Sequence, residues 1–318
     1  MTESVLTNLV RLARPHQWAK SIFVIVGPAY GVATGKPASW GMAIALAGAV
    51  IAFCLAASSC YIVNDIRDRA ADKVHPRKRR RPIASGAVSV AVAARFAVVL
   101  ALGAFLAPLL VWLGGRIDPG SVAAHEHKMV WLFLAVAVYM INTTLYSAVL
   151  KHQIVLDVIS LATGFVLRVL GGCAATGVTP SLFLLNVTFF LSMFLAFGKR
   201  LGERQTLGQE VAAGRAVQAA YTNDFLRMAV VVTGVATLVT YAGYIEGHGP
   251  RYDHGFNLLW LTLLPATYGL LRCMVLLETG RYDDPTEMAT RDRPMQLAVA
   301  VFVLITVGVM WGVPPPAP

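Results

Sequence analysis

Charge is what this sequence has least of. Only 14% of its 318 residues are Asp, Glu, Lys or Arg, while 57% are hydrophobic. Soluble domains carry about 25% charged residues. A water-soluble globule is therefore set aside, and an integral membrane protein takes its place. Acids are the scarcer sign, 17 against 27 Lys and Arg, for a net charge of +10. In a membrane protein that excess belongs to cytoplasmic loops, so nucleic acid is not an expected partner. Cysteine is scarce as well. Cys54, Cys60, Cys173 and Cys273 lie in apolar stretches without a CxxC pair, which excludes a disulfide framework and a thiolate zinc site. A cleavable signal is also missing. The first residues mix acid, base and Pro, with no apolar core leading to a small-residue cleavage site. Residues 1–20 are expected to stay, as a short amphipathic helix at the interface.

Long apolar runs are what the sequence has in abundance. A membrane span needs about 20 mostly apolar residues, and nine segments qualify as candidates: 21–36, 41–63, 88–114, 129–150, 153–177, 180–198, 225–245, 256–278 and 295–313. The expected fold is all-α and polytopic, one integral membrane domain over 1–318. Pro28 kinks the first segment, and Lys151-His152-Gln153 makes a tight hairpin between the fourth and fifth. With nine crossings and a cytoplasmic N-terminus, nineteen Lys and Arg fall inside and four outside, Arg77, Arg215 and Arg251 among those counted. That asymmetry sets the orientation in a cell inner (plasma) membrane. It puts the loops 64–87 and 199–224 on the cytoplasmic face.

The second span runs into Tyr61-Ile-Val-Asn64-Asp65-Ile-Arg-Asp68-Arg-Ala-Ala-Asp72. Tyr61, Asn64, Asp65, Asp68 and Asp72 recur at helical spacing on one face. Asn64, Asp68 and Asp72 stack oxygen ligands along about two turns. Such ligands, with few histidines nearby, suit Mg²⁺ rather than zinc. A solvated helix end with Asp and Arg paired at i,i+4 is the competing reading. Against it, the acids emerge from an apolar span and lead into the run His75-Pro76-Arg77-Lys78-Arg79-Arg80-Arg81. That run serves orientation and attraction to anionic lipid. Beside the acids it also reads as a phosphate clamp, because Arg forks bind phosphate bidentately. Lys78, Arg79 and Arg81 are the candidates. Tyr139, Asn142, Thr143 and Tyr146 form a polar stripe leading to Lys151. Asp157 and Arg168 lie within a span, where charges mark function unless they are structurally paired. Arg272 lies near a span end, where snorkelling is an alternative.

Asn64-xxx-Asp68-xxx-Asp72 after a second span, closing on Arg81-Pro82-Ile83-Ala84-Ser85-Gly86, resembles the UbiA-type prenyltransferase superfamily. Leu12-Ala13-Arg14-Pro15-His16-Gln17-Trp18-Ala19-Lys20 is similar to that family's N-terminal segment. The resemblance implies nine transmembrane helices around a central cavity that opens to the cytoplasm and laterally to lipid. Aromatic prenyltransferases of the superfamily carry a second Asp-rich motif after the sixth helix. Here Gly198-Lys199-Arg200-Leu201-Gly202-Glu203 stands there, with one acid and two cations. A site with an acidic and a basic pole suits two anionic substrates. With Tyr146-Ser-Ala-Val-Leu-Lys151 this is similar to the phosphoribosyltransferase branch. Its donor is phosphoribosyl pyrophosphate and its acceptor polyprenyl (decaprenyl) phosphate, on the route to cell-wall arabinogalactan.

The resemblance implies Asp65, Asp68 and Asp72 as catalytic residues. Mg²⁺ would lie on Asp68 and Asp72 with Asn64 or Asp65. Lys20, Tyr61, Lys78, Arg79, Arg81, Tyr146, Lys151, Lys199 and Arg200 would bind substrate. A homo-oligomer in the bilayer is compatible with it. The rivals are an aromatic prenyltransferase of quinone synthesis, against which the missing acidic cluster counts, and a transporter, against which the absence of an inverted repeat counts. A CDP-alcohol phosphotransferase lacks its Asp-Gly-xx-Ala-Arg pattern here.

Overall fold

A computed structural model of the chain describes residues 4–74, 78–117, 125–212, 220–247, 256–282, 288 and 291–312, and among these there is helix and turn but no strand. Of the sequence expectations, His75, Pro76 and Arg77 of the basic run, and Arg215 and Arg251 of the orientation count, lie outside the described residues.

The helices begin where capping chemistry places them. Helix α1 is Val5–Ala13, its first turn capped by Ser4, which accepts from the Thr7 N–H. It leaves Val5, Leu6 and Val10 exposed and buries Leu12. A 3₁₀ turn, Pro15–Ser21, leads into α2, Ile22–Ala33. Helix α3, Trp40–Arg67, starts on Ser39, whose hydroxyl accepts from the Met42 N–H. After it come α4, Arg69–Val74, and α5, Val90–Leu106, capped by Ser89. A break at Ala107-Pro108 separates α5 from α6, Leu109–Ile117, as proline demands. Then follow α7, His125–Ala148; α8, Leu156–Thr176; α9, Leu182–Ala212; α10, Asn223–Gly247; α11, Leu263–Glu278; and α12, Arg293–Gly312.

Among the described residues, eight helical stretches are long and apolar enough to cross a membrane. They match the second to ninth expected segments. The first does not qualify on length. Helix α2 has 12 residues, a rise of about 18 Å against a hydrocarbon core of about 30 Å. Its packing shows a longer path. The Ser58 hydroxyl donates to the Ala13 carbonyl, the Trp18 indole to Ser58, and the Cys54 thiol to Ser21. As the chain advances from 13 to 21 it thus descends α3 from 58 to 54. Arg14 reaches Asp65 near the end of α3, and Ser39 begins that helix at its other end. Residues 14–39 therefore run the length of α3, roughly 39 Å at 1.5 Å per residue.

The contacts divide the chain into two compact units, residues 1–148 with 166–180, and residues 149–165 with 181–318. The core of the first is built on small residues. Ala45, Ala49, Ala52, Ala56 and Ala57 of α3 pack with Phe53, Val24, Leu132 and Val136. Gly114 faces the Gly41 carbonyl and Gly172 the Val24 carbonyl so closely that a Cβ at either position would overlap the oxygen. Such close approach is how helices associate in lipid. A smaller cluster, Leu12, Ile62, Ile83, Val88, Ala93 and Ala97, lies where α1, α3 and α5 meet. The second unit centres on Phe194, Phe197, Leu201, Tyr221, Leu226 and Leu277.

The expected loops are more helical than anticipated. Asn64 to Arg67 complete α3, Lys78–Arg80 form a 3₁₀ turn, and α9 carries Lys199 and Arg200 well inside its length. The apolar core ends before the helix does, and hydropathy reports only the former.

Candidate active site

In the first unit, the end of α3 gathers acids and arginines. Asp65 and Asp72 are both 3% exposed. Arg14 Nη2 donates to both Asp65 oxygens, at 2.6 and 2.7 Å. Arg81 Nη1 bridges the two acids, 3.0 Å from Asp65 Oδ1 and 2.8 Å from Asp72 Oδ2. Arg14 also lies over the Tyr61 ring, 5.1 Å from its centre. Leu12 and Ile83 anchor both arginines, because each is buried in the cluster beneath the site two residues from its arginine. Gly86, at φ +83°, closes the turn after Arg81, a conformation that costs glycine little. Arg14 itself takes φ +52° as the C-cap of α1, a strained position for a residue with a Cβ. Its two hydrogen bonds to Asp65 hold it there.

Asn64 and Asp68 are joined to each other. Both are half-buried, and Asn64 Nδ2 donates to Asp68 Oδ2 at 3.1 Å. Its Oδ1 and the Asp68 carboxylate are hard oxygens at the margin of the cluster. Among the described residues no three His, Cys, Asp or Glu side chains converge as a metal cage. Mg²⁺ seldom needs one. It is usually held by one or two carboxylates, with water and substrate phosphates completing the shell. The donors present fit an ion that arrives with its phosphate. Lys78 is half-buried, Arg79 and Lys20 are exposed, and Tyr61 and Tyr146 are half-buried. Arg168, within the same unit, is 5% exposed. It donates to the Tyr139 hydroxyl at 2.8 Å and lies 4.5 Å from the centre of that ring.

The second unit holds its own polar centre. Asp157, fully buried, takes Arg200 Nε at 3.0 Å and a further contact from Arg200 Nη2. The Tyr221 hydroxyl donates to its other oxygen at 2.7 Å. Burial, first, and that hydrogen bond, second, push the Tyr221 phenol well above its usual range. Lys151, on the turn Leu150–His152, and Lys199, on α9, are half-buried. Nearer the helix ends, Arg204 donates to Asn223 at 2.8 Å. Arg272 reaches Asp292 at 3.2 and 2.9 Å instead of snorkelling. Asp292 caps α12 as well, accepting from the Met295 N–H at 3.0 Å. Arg272 holds the Asp292 carboxyl below the usual carboxylate range.

Two participants were not singled out from the sequence. Arg14 read as an orientation charge within the stretch that resembles the family's N-terminal segment, with no site role, although a cation between an amphipathic helix and Pro15 is a usable signal. Tyr221 carried none, because its partner Asp157 is 64 residues away.

Known proteins place this arrangement. The chain is 31% identical over 308 residues to decaprenyl-phosphate phosphoribosyltransferase of Mycolicibacterium smegmatis, covering 95% of this chain and 92% of that protein. It is 30% identical to the protein of the same name from Corynebacterium glutamicum, covering 98% and 89%. Its fold matches the structure of a UbiA homologue from Archaeoglobus fulgidus bound to GPP and Mg²⁺, with a TM-score of 0.66, 17% identity, and 95% and 99% of the two chains covered. The model of the UbiA prenyltransferase family matches residues 21–299, and the chain belongs to that family.

Proposed function

We propose that this protein transfers 5-phosphoribosyl from phosphoribosyl pyrophosphate to polyprenyl (decaprenyl) phosphate, releasing pyrophosphate, for the synthesis of cell-wall arabinan precursors. The observation that carries the reading is the near full-length likeness to proteins named for that reaction. Lys199-Arg200, standing where the aromatic prenyltransferases have their second acidic cluster, supports it.

In this reading Asn64, Asp68 and Asp72 would hold Mg²⁺ and the donor diphosphate with it. When bound, the ion neutralises charge that develops on the leaving pyrophosphate. Arg81 and Lys78 supply charge-assisted donors to the same oxygens. The bond from ribose C1 to the pyrophosphate oxygen breaks and its electron pair leaves with pyrophosphate. A bond from C1 to an oxygen of the acceptor phosphate forms, and in-line attack inverts C1. The acceptor is mostly dianionic at neutral pH, its second pKa being about 6, so no general base is required. Lys151 and Lys199 balance the charge of a second phosphate. The chain crosses the plasma (inner) membrane nine times, residues 15–36 making the first crossing, with the N-terminus and the acidic cluster on the cytoplasmic face.

The discriminating assay offers purified protein both substrate pairs with Mg²⁺: phosphoribosyl pyrophosphate with polyprenyl phosphate, and prenyl diphosphate with an aromatic acid. Lipid-linked phosphoribose from the first pair is expected. Prenylation of the aromatic acid alone would overturn the reading.

A further inference from the structure

Val155 is a backbone outlier. Its φ is +68°, a region that a β-branched residue enters only under constraint. It sits between the turn Leu150–His152 and α8, and its carbonyl accepts from Val158 at 3.0 Å and Ile159 at 2.9 Å in the first turn of that helix. Its own N–H is held from outside. It donates to the Tyr221 hydroxyl at 2.7 Å. That hydroxyl donates onward to Asp157 Oδ1 at 2.7 Å, an oxygen that also takes the Val158 N–H at 2.8 Å. Arg200 closes the other side of the carboxylate and anchors itself to the Ala196 carbonyl at 3.2 Å. The Tyr221 ring cannot swing away. It stacks on Phe225 at 5.6 Å and meets the edge of Phe197 at 6.2 Å. Asp157, Tyr221 and Arg200 are 0%, 1% and 7% exposed, so water does not compete for these bonds.

A buried ion pair inside one unit has no need of a tyrosine relay to a strained backbone amide. We propose that Asp157, Arg200 and Tyr221 are positioning residues that hold Val155 in the left-handed conformation and thereby fix the turn Leu150–His152, so that Lys151 meets a substrate phosphate in a set orientation. The proposal rests on the reading that Lys151 holds such a phosphate. It places Arg200 behind the site, acting through Asp157, and not in contact with substrate. Strain maintained by surrounding structure is a recurrent means of pre-organising a site.

The test uses three variants of the full-length protein in detergent or vesicles. Tyr221→Phe keeps the ring packing and removes only the hydroxyl. Val155→Gly removes the cost of the left-handed conformation. Lys151→Ala removes the ammonium. Lys151→Ala is expected to raise KM for one of the two phosphate substrates about tenfold, and Tyr221→Phe to raise that same KM about fivefold with kcat within about twofold. Tyr221→Phe should also speed native-state tryptic cleavage after Lys151. Adding Val155→Gly to Tyr221→Phe should return KM to within about twofold of wild type and slow that cleavage. If Tyr221→Phe lowers the melting temperature but leaves both KM and cleavage unchanged, or if the glycine gives no rescue, the positioning role is wrong. If Lys151→Ala moves neither KM while cleavage follows the pattern above, the turn is positioned as stated and the phosphate role of Lys151 is overturned.

Discussion

Asp65 and Asp68 are three residues apart and stand in different surroundings. Asp65 is buried under two arginines, whereas Asp68 is half-buried beside Asn64. Removing Asp65 leaves the partly buried Arg14 without its carboxylate and Arg81 with Asp72 alone. Asp65→Ala is therefore expected to lower stability by about 3 kcal/mol, the usual scale for breaking a buried pair from one side, measured as a drop in the detergent melting temperature. Asp68→Asn is expected to leave the melt unchanged and lower turnover at least about a hundredfold. Equal melts for both variants would contradict this division. The sequence showed that the acids share one helical face, since period 3.6 is local information. It did not show which acids take Arg14 and Arg81, because these lie 51 and 16 residues from Asp65.

Among the elements, α8 and α12 each hang on a single residue. Gly172 packs onto the Val24 carbonyl, so Gly172→Ala forces the helices apart at a cost of about 1–3 kcal/mol, and a melt of the variant measures it. For α12, Asp292 is both cap and ion-pair partner. Its folded-state pKa is depressed, so its stabilisation is present at neutral pH and is lost as pH falls below about 4, the unfolded carboxylate value. Asp292→Asn should flatten the acid limb of the stability profile, and an unchanged limb would contradict the pairing. The long apolar helices were legible from hydropathy alone. Their polar extensions were not, because helix continues there on hydrogen bonding and capping after the apolar run has ended. The first segment was read as a span kinked at Pro28; the 3₁₀ turn ahead of α2, which makes it a composite, was not foreseen.

At the scale of the whole molecule, the nine-crossing topology proposed above would put residues 37–39 and 82–89 on opposite faces. The native cysteines are buried and silent to maleimides. Ala38→Cys should react with a membrane-impermeant maleimide in intact cells, and Ser85→Cys only after permeabilisation. Labelling of both from the same side would remove the first crossing. The family was legible in the acidic motif and the Arg81–Gly86 segment, which are contiguous. The second polar centre was legible only as scattered charges, since Asp157, Arg200 and Tyr221 come together through tertiary packing.

The central claim is phosphoribosyl transfer to a lipid phosphate, and the stoichiometry of one reaction tests it most directly. Purified protein is given phosphoribosyl pyrophosphate labelled in the ribose, polyprenyl phosphate and Mg²⁺, and both products are counted. The account predicts one lipid-linked phosphoribose for each pyrophosphate released, with neither formed when the lipid phosphate is omitted and both lost in Asp68→Asn. Pyrophosphate release without labelled lipid, or label transfer undiminished in Asp68→Asn, would contradict it.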